Sequence, residues 1–141
     1  MDRKQLVSYV FLLHFPKPPV GYEYTKCLVH AFDKSNCTDS PTTLQNIVIK
    51  KGWFQDTLPR AKSEIGKVAI LRLDGDWYES TKCCLDNLYE NVSPGGYVII
   101  DDYGYWEGCR QALDEFLHAR KIGIELREID HDGRYFQNPG I

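Results

Sequence analysis

Two short apolar runs, Val68-Ala69-Ile70-Leu71-Arg72-Leu73 and Tyr97-Val98-Ile99-Ile100, each stop abruptly at acidic residues, Asp74-Gly75-Asp76 after the first and Asp101-Asp102 after the second. A run that is apolar at nearly every position, rather than every second one, reads as a strand covered on both faces, the habit of parallel sheets. Between the runs, Tyr78, Thr81, Leu85, Leu88 and Tyr89 share one face of a helix predicted over about 77–89, and Ser93-Pro94-Gly95-Gly96 is expected to stop it and turn the chain back. Strand, helix and strand then have the length a right-handed crossover needs, which brings both acidic tips to the carboxyl edge of one sheet, where open α/β folds bind ligands. Asp74, Asp101 and Asp102 would there offer the hard oxygen donors that Mg²⁺ prefers, with Asp76 expected to cap the helix that follows.

The rest of the chain fits around that unit. Residues 6–15 read as a strand ended by Pro16-Lys17-Pro18-Pro19, since proline removes a donor and restricts the residue before it. Cys27, Leu28, Ala31 and Phe32 have helical spacing, so a short helix is expected over about 24–32. Asn46–Lys50 is a compact β-branched strand, and Asp56-Thr57-Leu58-Pro59 predicts a turn into a short helical or loop crossover. A helix over about 106–120 carries Cys109, Ala112, Leu113, Phe116 and Leu117 on one face, with Gly123 expected to close it. Ile124–Ile129 alternates apolar and charged residues, and Asp132-Gly133 signals a hairpin before Arg134-Tyr135-Phe136. The fold class expected is therefore α/β, a mostly parallel sheet finished by a carboxyl-terminal antiparallel hairpin.

At 141 residues the chain reads as a single domain, with a sizeable core but short for a complete doubly wound fold. Its 17 basic and 20 acidic side chains form no basic block, which leaves nucleic-acid or anionic-membrane binding without electrostatic support. The five cysteines are odd in number and lack CxxC spacing, which fits a reduced, cytoplasmic chain. Val7–Phe15 follows basic residues as a signal segment would. It lacks a small-residue cleavage site and runs into prolines, so a buried strand is the preferred reading. His14, His30 and His118 have no ligand spacing, and Cys83-Cys84 reads as a packing residue beside a surface one.

The stretch Lys51-Gly52-Trp53-Phe54-Gln55-Asp56-Thr57-Leu58-Pro59, then Leu71 to Thr81 with its Leu-Asp-Gly-Asp element, then Gly95-Gly96-Tyr97-Val98-Ile99-Ile100-Asp101-Asp102-Tyr103-Gly104, closely resembles the macrocin O-methyltransferase family. The likeness runs on through Gly108-Cys109-Arg110-Gln111-Ala112 to the Ile129–Tyr135 hairpin and so covers about 46–136. It implies the carboxyl-terminal half of a class I, Rossmann-like methyltransferase fold. The activity implied is Mg²⁺-dependent methyl transfer from S-adenosylmethionine to a hydroxyl of a sugar or natural-product-like small molecule. It places the metal on Asp74, Asp101 and Asp102. The glycine-rich cofactor loop of that class has no counterpart, since no GxG occurs, and His14 stands where a ribose-binding acid is expected. Residues 1–45 are accordingly read as divergent, in an amino-terminally truncated family member.

For the chemistry, Asp74 is the first choice of proton acceptor, ahead of Tyr103 and His131, and Gly52, Trp53 and Phe54 are candidates to flank the cofactor's adenine. The plainer readings are loop-entry or capping aspartates and core aromatics. Two other functions compete. One is a catalytically inactive interaction or homo-oligomerisation module pairing through an exposed sheet edge. The other is a metal-dependent hydrolase, for which neither a nucleophile motif nor a second ligand set is visible.

Overall fold

The computed structural model describes the backbone of residues 7–13, 26–32 and 47–50 and the whole of residues 53–140. In chain order the elements are β1 (Val7–Leu13), β2 (Lys26–Phe32), β3 (Ile47–Lys50), α1 (Phe54–Ile65), β4 (Val68–Asp74), α2 (Tyr78–Leu88), β5 (Val92–Ile100), α3 (Glu107–Ala119), β6 (Arg127–Glu128) and β7 (Arg134–Gln137). All seven strands join one sheet in the order β3-β2-β1-β4-β5-β7-β6. β1, β4 and β5 are mutually parallel at its centre. β2 is antiparallel to both β1 and β3, and β7 is antiparallel to both β5 and β6. The chain builds outward from β1 to β3 and then returns to place β4 on β1's other side. The β1/β4 boundary is thus the point where strand order reverses, as in doubly wound sheets.

The expected hairpin at the carboxyl end is present, with Asp130 shaping its turn: Oδ1 accepts the Asp132 N–H at 3.0 Å and the Gly133 N–H at 2.6 Å. Three local expectations are corrected. The segment expected as a helix over 24–32 contains strand β2, paired residue for residue with β1 from Phe32↔Val7 to Lys26↔Leu13. A short apolar run fits either period, and here the hydrogen bonds offered by β1 decide. Ser93-Pro94-Gly95-Gly96 lies inside β5 rather than ending α2. The helix closes through a 3-10 turn at Tyr89–Asn91, and the proline and glycines take up the register break between Val68↔Val92 and Ile70↔Tyr97. α3 is closed not by Gly123 but by Lys121, at φ 55°, with the Ile122 N–H returning to the Leu117 carbonyl at 2.9 Å.

Helix α1 runs unbroken through Pro59. Phe54, Leu58 and Ala61, spaced at i, i+4 and i+7, are all buried, and that apolar face outweighs the hydrogen bond the proline removes. α2 lies between α1 and α3. Its Cys84, Leu85 and Leu88 join Leu113 and Phe116 of α3 over Leu71, Leu73, Val98, Ile100 and Phe136 of the sheet in one core. Burying each such leucine contributes about 1.5–3 kcal/mol, so this layer fixes the strand tips that carry the acids. Cys83, Cys84 and Cys109 are free thiols, and no helix among the described residues is long and apolar enough to cross a membrane.

Candidate active site

β4 and β5 end level with one another, Leu73 opposite Ile100, and the Asp101 N–H donates to the Leu73 carbonyl at 2.9 Å. Asp74, the last residue of β4, is also in register with Leu13 of β1. It therefore stands at the order-reversal point of the parallel strands, the position where open α/β sheets take their ligands. Beyond Ile100 the chain enters a turn that delivers Asp101 and Asp102, and beyond Asp74 it passes through Gly75 and Asp76 into α2.

Three carboxylates meet here. One oxygen from each of Asp74, Asp76 and Asp102 lies within 4.8 Å of the other two. Asp76 has a left-handed backbone, φ 39°, which aspartate tolerates better than most residues, and its N–H approaches Asp102 Oδ2 at 3.4 Å. The expectation that Asp76 caps α2 is corrected: Trp77 is the N-cap residue, and no side chain caps the helix. Sequence reasoning missed Asp76 as a member of the group because the backbone twist that turns it inward has no signature beyond the Asp-Gly-Asp spacing.

Asp101, the third ligand expected from the sequence, is not among the three. Its carboxylate forms an ion pair with the Arg72 guanidinium, Nε donating to Oδ1 at 3.1 Å and NH2 donating to Oδ2. Arg72 lies on β4 opposite Ile99, so this pair is a strand-to-turn contact next to the cluster.

The electrostatics are those of crowded acids. Burial, then the Asp102 and Asp101 carboxylates, push the Asp74 carboxyl up to about 6, with Arg72 pulling the other way. Burial likewise raises Asp102 and Asp76, which also repel one another. A cation would relieve that crowding. Octahedral Mg²⁺ takes oxygens at about 2.0–2.1 Å, which puts opposite ligands about 4.2 Å apart, so the cluster fits a small divalent ion after a modest contraction. By their residue types these are hard-cation donors, with neither histidine nor thiolate among them.

The other sequence candidates are spread around this edge. Gly52 lies outside the described residues. Trp53 is exposed at the start of α1, whereas Phe54 is buried with Leu58 in the core. Tyr103 is turned toward α3, its hydroxyl donating to Asp114 Oδ1 at 3.0 Å, and His131 is exposed on the hairpin loop with Nδ1 2.6 Å from Asp132 Oδ1.

The chain is similar to known O-methyltransferases. The chain is 54% identical over 86 residues to demethyldecarbamoylnovobiocin O-methyltransferase of Streptomyces niveus, a match covering 61% of this chain and 32% of the relative. It is 46% identical over 87 residues to 8-demethyl-8-(2,3-dimethoxy-alpha-L-rhamnosyl)-tetracenomycin-C 4'-O-methyltransferase of Streptomyces olivaceus, covering 62% and 32%. Among solved structures it resembles the O-methyltransferase NovP at 52% identity and a TM-score of 0.60, over 62% of this chain and 36% of that one. The chain thus spans about a third of the length of the curated relatives it matches. A family model described as macrocin-O-methyltransferase (TylF) matches residues 32–138, three quarters of the chain and all of the elements that carry the acids, and the chain belongs to that family.

Proposed function

We propose that this chain carries the acceptor and metal side of an S-adenosylmethionine-dependent, Mg²⁺-assisted O-methyltransferase that acts on a hydroxyl of a sugar or natural-product-like small molecule. The observation that carries the reading is the convergence of Asp74, Asp76 and Asp102 at the tips of adjacent parallel strands. The relatives' names support the reaction and acceptor class: both are O-methyltransferases, and one name specifies a rhamnosyl group.

Methyl transfer from a sulfonium to an alcohol is an in-line displacement that needs the oxygen held close, aligned and relieved of its proton. Asp74 and Asp102 would hold the ion, with Asp76 within reach of the same centre and Asp101 able to join only by leaving Arg72. An ion held by these residues would supply Lewis acidity and so lower the pKa of an acceptor hydroxyl. Asp74 is the proton acceptor in this reading, since it lies in the cluster, whereas the Tyr103 hydroxyl donates to Asp114 and His131 is exposed on the hairpin loop. For the methyl donor, Trp53 at the start of α1 is the candidate to flank adenine, with Gly52 before it in the sequence and Phe54 buried in the core after it.

Calorimetry of the full chain with Mg²⁺, then with Mg²⁺ and S-adenosylmethionine, tests this. One ion per chain is expected, weakened about tenfold or more in Asp102→Asn and in Asp76→Asn and less in Asp101→Asn, whose carboxylate is already paired. A flat Mg²⁺ titration on folded protein would overturn the proposal.

A further inference from the structure

All three tryptophans of the chain occupy the same kind of position. Trp53, Trp77 and Trp106 are the N-cap residues of α1, α2 and α3, and none makes a side-chain capping bond. N-caps favour short oxygen-bearing side chains, and a poor cap forgoes about 1 kcal/mol. Each of these residues is also substantially exposed, at 37%, 43% and 37%. Local helix stability therefore does not account for tryptophan here, and a residue that breaks a local rule on an exposed rim invites a functional explanation.

Two of the three are assembled into one surface. Trp77 and Trp106 stack with centroids 5.6 Å apart and planes 29° apart, and Tyr105, itself 68% exposed, stands edge-on to Trp106 at 5.1 Å. The approach of α3 to α2 sets this stack: a Cβ on Gly108 would lie 3.0 Å from the Tyr78 backbone nitrogen. The backbone that carries these rings adjoins the backbone that carries the acids. Trp77 follows Asp76 in the chain, and the Trp106 N–H donates to the Asp102 carbonyl at 2.9 Å. Among the described residues neither indole N–H of this pair has an acceptor.

We propose that Trp77 and Trp106, with Tyr105 at their edge, are the platform on which the pyranose ring carrying the acceptor hydroxyl lies. This rests on the methyltransferase reading and deepens it. An aromatic face is electron-rich and attracts the C–H bonds that ring oxygens polarise on one side of a sugar. The hydroxyls around the ring's rim stay free to reach the carboxylates or an ion held by them. The two indoles are already in contact, so no slot admits a flat ring between them, and a ligand takes an outer face. The acids alongside disfavour an anionic ligand such as a nucleotide phosphate and are compatible with a neutral polyol ring.

The test is saturation-transfer NMR on the full chain with methyl α-L-rhamnopyranoside, in the absence of Mg²⁺ and methyl donor, with 4-methoxyphenol as the planar comparison. Saturation is expected on the sugar's ring protons, with affinity falling about fivefold to tenfold in Trp106→Ala and in Tyr105→Ala. Trp106→Phe, which keeps an aromatic face, should stay within about twofold of the parent. Tyr105→Ala alters the most exposed of the three rings and so guards against a folding defect. Sugar binding that all three substitutions leave unchanged, no sugar binding at all, or binding of 4-methoxyphenol alone would overturn the platform. If the sugar binds through Trp106 while the Mg²⁺ titration is flat, the metal-assisted methyltransferase reading falls and the aromatic surface stands only as a sugar-binding site, not as an acceptor platform. If Mg²⁺ binds and the sugar does not, the platform falls alone.

Discussion

Asp74 is held between two tendencies: burial and its neighbours Asp102 and Asp101 favour its protonated form, and Arg72 favours the charged one. The first wins and the carboxyl sits at about 6 against an ordinary 3.8. Between those values the folded chain binds more protons than the unfolded chain, so Asp74 makes stability fall as pH rises through that window and leaves the penalty in full above it. Asp102 and Asp76 are raised as well and act with the same sign. Discounted for Asp74's half-exposed position, its share is about 1 kcal/mol. With EDTA present, thermal melts from about pH 4 to pH 7 should show Asp74→Asn gaining on the parent as pH rises, and saturating Mg²⁺ at pH 7 should remove that advantage. An unchanged difference across the range would contradict it. Asp74 and Asp102 were legible from the sequence because apolar strands ending in acids announce their position. The pairing of Asp101 with Arg72 and the inward turn of Asp76 were not, since one is a contact between a strand and the turn beside it and the other a left-handed backbone angle.

The elements themselves were legible where periodicity was long. β4, α2 and α3 lie within a residue or two of where their patterns place them, and the hairpin turn follows its Asp-Gly signal. Glycine and proline were the weaker guides, because their effect depends on what packs nearby. Pro94-Gly95-Gly96 serves a bulged strand, Pro59 rides within a helix, and Gly123 leaves the closing of α3 to Lys121. Gly108 carries the opposite lesson: an inconspicuous helical glycine marks the point where α2 and α3 nearly touch. Gly108→Ala gains helix propensity of about 1 kcal/mol but must displace the Tyr78 backbone, and overpacking of that kind costs about 1–3 kcal/mol. The expected outcome is a net loss of about 1 kcal/mol in denaturant melts, with a weaker near-ultraviolet signal from the Trp77–Trp106 stack. Gly123→Ala, which meets nothing within 4 Å, should stay within about 0.5 kcal/mol of the parent.

Across the whole molecule, the last strand in sequence is not the last in the sheet: β7 lies between β5 and β6, so the carboxyl-terminal segment is what completes the parallel centre. One buried side chain secures it. Asn138 Oδ1 accepts from the Tyr89 hydroxyl at 3.0 Å and its Nδ2 donates to the Val92 carbonyl at 2.8 Å, while its backbone bonds Gly95 and Gly96 at 2.8 Å each. The residue thus ties the end of α2, the bulged start of β5 and the chain's final segment to one point. No sequence motif marked it, because an asparagine's value depends on partners more than 40 positions away. Asn138→Ala leaves the Tyr89 hydroxyl and a buried carbonyl without partners, and each such loss costs about 1–3 kcal/mol. A destabilisation of about 2–4 kcal/mol is expected, whereas Tyr89→Phe, which removes a single donor and keeps the ring against Phe116 and Phe136, should cost about 1 kcal/mol. The double variant should fall short of the sum, since both changes delete the same bond. Full additivity in urea melts would mean that the two residues act independently and that the carboxyl-terminal segment is held by its strand pairing instead.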